Sequence, residues 1–123
     1  MPTPIVFFDI VGPDLQTQRD FYEAVFGWDV SAEGGFTAPV ASPLAGLLRV
    51  EAEAGFQPER VIYLGVEEIT ATLATIVANG GDVVLPRTAL PGVVILALFT
   101  DPAGNRMGLV EMADGKVVVP PAG

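Results

Sequence analysis

A run of seven apolar residues, Val-Val-Ile-Leu-Ala-Leu-Phe at 93–99, leads through Thr-Asp-Pro-Ala-Gly-Asn at 100–105 into Arg-Met-Gly-Leu-Val-Glu at 106–111. No other stretch constrains the fold as much. The run is far shorter than the roughly 18 residues of a membrane span, and its length suits a strand buried on both faces. The residues after it are turn formers. Pro102 presets φ, Gly104 and Asn105 accept positive φ, and Asp101 can bond its own backbone. With 106–111 extended again, the whole is a hairpin.

Upstream, Val-Ile-Tyr-Leu-Gly-Val at 61–66 reads as a strand and 68–79 as a helix closed by Gly80-Gly81. In that helix Ile69, Leu73, Ile76 and Val77 make one apolar stripe. Residues 82–85 form a strand and 86–92 a loop before the hairpin.

The first half follows the same plan. Residues 4–11 make an apolar strand interrupted by Asp9, and Gly12-Pro13 breaks it. Asp14 is an N-cap, Leu15, Gln18, Tyr22, Val25 and Phe26 recur at helical spacing, and Phe21 widens their face. Gly27 supplies a left-handed end, and strands are expected from Trp28, over 36–40 and over 44–51. Asp14-Leu15 and Glu68-Ile69 open the two helices, so the halves repeat at an offset of about 54 residues.

Composition narrows the function. The 123 residues suit one domain, 1–123, and half of them are hydrophobic. No signal segment or membrane span is visible, and the cytoplasm is taken simply as the default compartment. A net charge of −9 without a basic stripe argues against nucleic-acid partners. There are no cysteines and no histidines, so thiolate chemistry is excluded and any acid–base step runs without imidazole.

The repeat, the string Asp-Phe-Tyr-Glu-Ala-Val-Phe-Gly-Trp at 20–28 and the Asp-Pro-x-Gly-Asn hairpin together resemble the vicinal-oxygen-chelate superfamily of glyoxalases, bleomycin-resistance proteins and dioxygenases. The resemblance covers about residues 5–112. It implies an α+β fold of two tandem βαβββ modules, about 4–52 and 60–112, whose eight strands curl around a cleft with the helices outside. In the tail, 113–123, residues 116–119 either add an edge strand or lie disordered.

Many members of that superfamily hold a divalent metal with one ligand from each of four strands. Carried onto this chain, the first-strand position falls at or about Phe7, the fifth on Val61 and the eighth on Gly108. The fourth falls among Leu48, Arg49 and Val50. None is an oxygen ligand or a histidine, so no metal and no cofactor is expected.

Strand alternation leaves a different constellation facing the cleft: Asp9, Arg49, Tyr63 and Arg106 within walls that include Phe7, Trp28 and Val61, over Gly108. Each polar member has an architectural reading beside the functional one. Asp9 can be the ion-pair partner of an arginine, Tyr63 and Trp28 can be core, and Arg106 can reach solvent. Asp101 reads as turn geometry alone. Flanked by Phe7, Phe8, Ile10 and Val11, Asp9 is expected to have lost most of its water.

Three readings remain open. One is a metal-free cleft binding a hydrophobic or aromatic molecule, with the acidity compatible with a cation. Another is a metal-independent lyase or isomerase with Asp9 as base and an arginine at the developing oxyanion. The last is a structural or regulatory dimer with a collapsed cleft. In each the expected partner is a second copy, a homodimer, because so apolar a chain carries more hydrophobic surface than one small core hides.

Overall fold

The computed structural model describes residues 2, 4–48 and 58–123. Its second half is a complete βαβββ unit. β1 (Tyr63–Val66) leads through α2 (Ile69–Ala78) to β2 (Asp82–Leu90), β3 (Val94–Thr100) and β4 (Arg106–Ala113). The sheet order is β1-β4-β3-β2, with β1 parallel to β4 and the other neighbours antiparallel. A short β5 (Lys116–Val117) folds back on the end of β4, so the tail does add an edge strand. Among the described residues the result is an α+β fold with a mixed five-stranded sheet and two helices.

The hairpin forms where the apolar run and its turn residues place it. Thr100 pairs with Arg106 across a turn in which the Asp101 amide donates to the Asn105 carbonyl. One expectation is corrected: residues 86–90 are not a loop, because β2 continues through Pro86 to Leu90. Two register shifts, between Val83 and Leu85 and between Leu85 and Thr88, relax the ladder around the proline. Since β2 is an outer strand of this sheet, the missing proline donor costs little there.

In the first half, α1 (Leu15–Phe26) is capped at both ends as its sequence implies. The Asp14 carboxylate accepts from the Thr17 amide at 3.0 Å and also from the Thr17 hydroxyl. Those hydrogen bonds hold it below the usual carboxylate range, the hydroxyl contributing most. Gly27 adopts φ 68° and donates to the Glu23 carbonyl, the left-handed ending that a side chain would strain.

The strand segments around α1 behave otherwise. Those expected at 4–11, from 28, at 36–40 and at 44–51, the last of which lies outside the described residues beyond 48, enter no ladder among the described residues. Both helices pack on one face of the sheet. Phe21, Tyr22, Ile69, Leu73 and Ile76 meet Ile95, Ala97, Phe99, Met107 and Leu109 in a single core. Trp28 and Val30 join it from the segment after α1, held there by Arg19, whose Nε and Nη2 donate to the Val30 carbonyl at 3.1 and 2.9 Å.

Candidate functional site

Alternation along each strand fixes what lies on the sheet face opposite the helices. Met107 and Leu109 belong to the core, so Arg106, Gly108, Val110 and Met112 project from the other face of β4. By the same rule Leu96 and Leu98 project from β3, and Tyr63 and Gly65 from β1. The register then aligns them in two rows, Tyr63–Gly108–Leu98 and Gly65–Val110–Leu96.

The rows are unusual at their glycines. A Cβ at position 108 would stand 2.2 Å from Cδ2 and 2.4 Å from Cε2 of Tyr63. The tyrosine ring therefore occupies the space of the absent side chain, lying across the β1–β4 seam. A Cβ at position 65 would likewise meet Met112 Sδ at 2.1 Å. Two long side chains thus occupy the room of two missing ones, on a floor completed by the buried Leu96 and Leu98. Tyr63 itself remains 41% exposed. At the rim, Arg106 Nε lies 3.5 Å from Glu59 Oε2.

The structure brings Tyr63, Gly108 and Arg106 together on this face. Val61 is half-buried just ahead of β1, next to Ile62, whose carbonyl accepts from the Gly108 amide. Trp28 lies elsewhere. It is buried in the helix-side core, stacked between Tyr22 at 5.1 Å and Phe36 at 4.9 Å, so its role is packing. Phe8 packs edge-on against Phe36 and Trp28, and Ile10 rests on the core.

Phe7 and Asp9 point the other way and are exposed, Phe7 at 83%. The expectation that Asp9 has lost its water is therefore corrected. Its apolar sequence neighbours alternate sides, and no adjacent strand among the described residues covers the segment. Arg49 lies outside the described residues.

The polar centre that sequence reasoning undervalued is Asp101, only 3% exposed. Its Oδ1 accepts from the amides of Ala103 and Asn105, both at 2.9 Å, as a turn residue should. Its Oδ2 also accepts from Gln18 Nε2, the Tyr22 hydroxyl and Asn105 Nδ2, each at 2.9 Å. Burial, and then the carboxylate beside it, push the Tyr22 hydroxyl well above the usual phenol range. A signal was available in the sequence: Gln18 falls on the apolar stripe of α1, and a polar group there needs a buried partner. The cluster fastens α1 to the β3–β4 turn. A cavity of about 120 Å³ between Pro13, Thr17, Gln18 and Pro102 lies beside it.

The residues do not fit the metal that the superfamily resemblance implies. Position 108 offers no donor atom and its side-chain space is filled by Tyr63, while Val61 is aliphatic. Among the described residues no group of three or more acidic, histidine or cysteine side chains converges.

The model of the Glyoxalase/Bleomycin resistance protein/Dioxygenase superfamily matches residues 5–109. The anthracycline biosynthesis protein DnrV of Streptomyces peucetius is 24% identical over 138 aligned positions, covering 92% of this chain and 50% of DnrV. A candidate glyoxylase of Mycobacterium bovis, CFP32, is 26% identical over 111 positions, covering 82% and 42% respectively. This chain thus spans about half the length of the curated relatives it matches.

Among solved structures, a glyoxalase/bleomycin resistance protein/dioxygenase family enzyme from Burkholderia phytofirmans superposes with a TM-score of 0.60 at 13% identity, covering 81% of this chain and 91% of that one. The hypothetical protein SA1046 of S. aureus gives 0.57 at 21% identity, covering 80% and 86%. With the family match spanning most of its residues, the chain belongs to the glyoxalase/bleomycin resistance protein/dioxygenase superfamily.

Proposed function

We propose that this chain is a metal-independent small-molecule-binding protein of the glyoxalase/bleomycin-resistance type, with its site on the sheet face opposite the helices. The observation that carries the reading is Tyr63 lying over Gly108, an aromatic group where the superfamily's eighth-strand ligand would stand. Around it lie the half-buried apolar side chains of Val110 and Met112, over the buried Leu96 and Leu98, with Glu59 and Arg106 as the charged groups at one end. Such a surface suits a hydrophobic or aromatic ligand, and the net charge of −9 favours a cationic one. DnrV's link to anthracyclines supports an aromatic class.

The cleft is completed in a homodimer. Segments 4–11, 36–40 and 44–48 carry exposed Ile5, Val6, Phe7, Val40, Leu44 and Leu47. Paired with the sheet of a second copy, these segments build the eight-stranded curled sheet and bring Phe7 and Asp9 to its ligand. Two copies also match the length of the relatives, of which one chain spans about half.

Titration with proflavine, a planar cationic dye, tests the reading. Saturable binding at one dye per chain is expected, weakened by Asp9→Asn with stability kept within about 1 kcal/mol, as suits an exposed carboxylate. Sedimentation should show a dimer at micromolar concentration. No binding by wild-type protein at high micromolar dye would refute the assignment, and a strict monomer would refute the completed cleft.

A further inference from the structure

The geometry points to Gly108 as a positioning residue, which lets the Tyr63 ring lie across β4 and so makes that ring the aromatic contact for a planar aromatic ligand. This rests on the binding reading above and goes beyond it by assigning the contact and what sets its height. Tyr63 and Gly108 are register partners in parallel strands, so their side-chain directions run side by side. Neighbouring side chains of that kind ordinarily stand next to each other. Here Cδ2 and Cε2 of Tyr63 reach to 2.2 and 2.4 Å from where the Cβ of residue 108 would be. Any side chain at 108 forces the ring away, since real Cβ atoms do not approach others so closely.

The surroundings favour an aromatic occupant over an aliphatic one. Leu98 continues the row beyond Gly108, so the ring sits on the seam with an apolar wall beyond. Met112, lying in the space above Gly65, adds a polarizable thioether on the same face. Rings and thioethers both interact favourably with an incoming aromatic system, in offset or edge-on geometry. Met112 meets the glycine through the far end of a flexible chain and can move to admit ligands of different outline. Tyr63 meets Gly108 through its ring and has much less freedom. Gly108 therefore governs the contact, and Met112 adapts to what lies on it.

A double-mutant cycle read by proflavine quenching tests this, with thermal melts on every variant. Tyr63→Phe should bind as wild type does, because the ring and not the hydroxyl makes the contact. Tyr63→Leu, of similar apolar character but without a ring, should bind about tenfold more weakly. Gly108→Ala should lose about as much, although it removes no atom that touches the dye. Tyr63→Leu combined with Gly108→Ala should bind no more weakly than either single variant, since the alanine acts only through the ring.

Unchanged affinity in Gly108→Ala, or losses that multiply in the double variant, would overturn the inference while leaving the binding reading intact. Wild-type protein that binds no proflavine would overturn both. If Gly108→Ala fails to fold, the double variant decides. Recovery of its melt shows that the clash is with Tyr63 and supports the assignment, whereas a double variant that also fails to fold overturns it.

Discussion

The two halves of this chain carry matching patterns, yet among the described residues only the second forms a complete unit by itself. Residues 61–113 build a helix and four strands whose ladders close on one another. Residues 4–48 build the equivalent helix and dock it, but their apolar segments remain without strand neighbours among the described residues. The difference follows from where hydrogen bonds are made. A helix satisfies its backbone within itself and needs only caps and one buried face, which α1 has. A strand needs another strand beside it, and an apolar one left open invites a second chain.

Among the described residues, what anchors the first half is accordingly not strand pairing. It is the Tyr22–Trp28–Phe36 stack and the Gln18 and Tyr22 bonds to Asp101, contacts made by α1 and the segments it holds.

Four experiments sharpen that contrast. Phe99→Ala empties the fully buried centre of the complete half and should cost about 3–5 kcal/mol. Under dilute conditions that keep the protein monomeric, Phe7→Ala should stay within about 0.5 kcal/mol. Urea melts of the two variants compare the halves directly, and equal losses would erase the distinction.

Next is the fastening between the halves. Asp101→Ala strips the acceptor from three buried or half-buried side-chain donors and two turn amides, and should cost on the order of 3 kcal/mol. Near-ultraviolet circular dichroism from the Trp28 stack should weaken with it, because α1 loses its hold on the turn.

The third effect depends on pH. Since the folded-state pKa of Tyr22 lies above its ordinary value of 10.0, its contribution is complete below that value and is lost as pH rises beyond it. Tyr22→Phe should flatten the alkaline fall in stability above pH 10, and an unchanged profile would refute the assignment. The smallest effect belongs to the exposed Arg87, which donates to Glu111 through Nε at 2.7 Å and Nη2 at 3.0 Å. Those bonds hold Glu111 below its ordinary 4.5, so their contribution is present above that pH and fades as the pH falls beneath it. Arg87→Met should remove this shallow acid dependence while barely moving the melt at neutral pH.

Features set by neighbours in sequence were legible beforehand. The β3–β4 hairpin, the Asp14 and Gly27 caps and the burial of Ile69, Leu73 and Ile76 on α2 follow from local chemistry, while Val77, expected on the same stripe, is exposed. Features set by distant contacts were not. Pro86 and Gly92 suggest a loop, and only the pairing with β3 shows that β2 runs past the proline on bulges. Trp28 had a core and a cleft reading side by side, and the core reading is the one found, with its ring stacked on Tyr22 and Phe36.

Asp101 looked sufficient as a turn residue because its partners Gln18 and Tyr22 lie 83 and 79 positions away. Tyr63 and Gly108 were both recognisable as candidates. Their overlap depends on the parallel β1–β4 register, which the sequence does not display.

Elemental analysis tests metal independence most directly. Purified protein exposed in turn to nickel, zinc and ferrous iron and then dialysed should retain far less than one metal per chain, with an unchanged melting temperature. Retention of about one metal per chain after dialysis, with a raised melting temperature, would contradict the placement of Tyr63 over Gly108 as the substitute for a metal site.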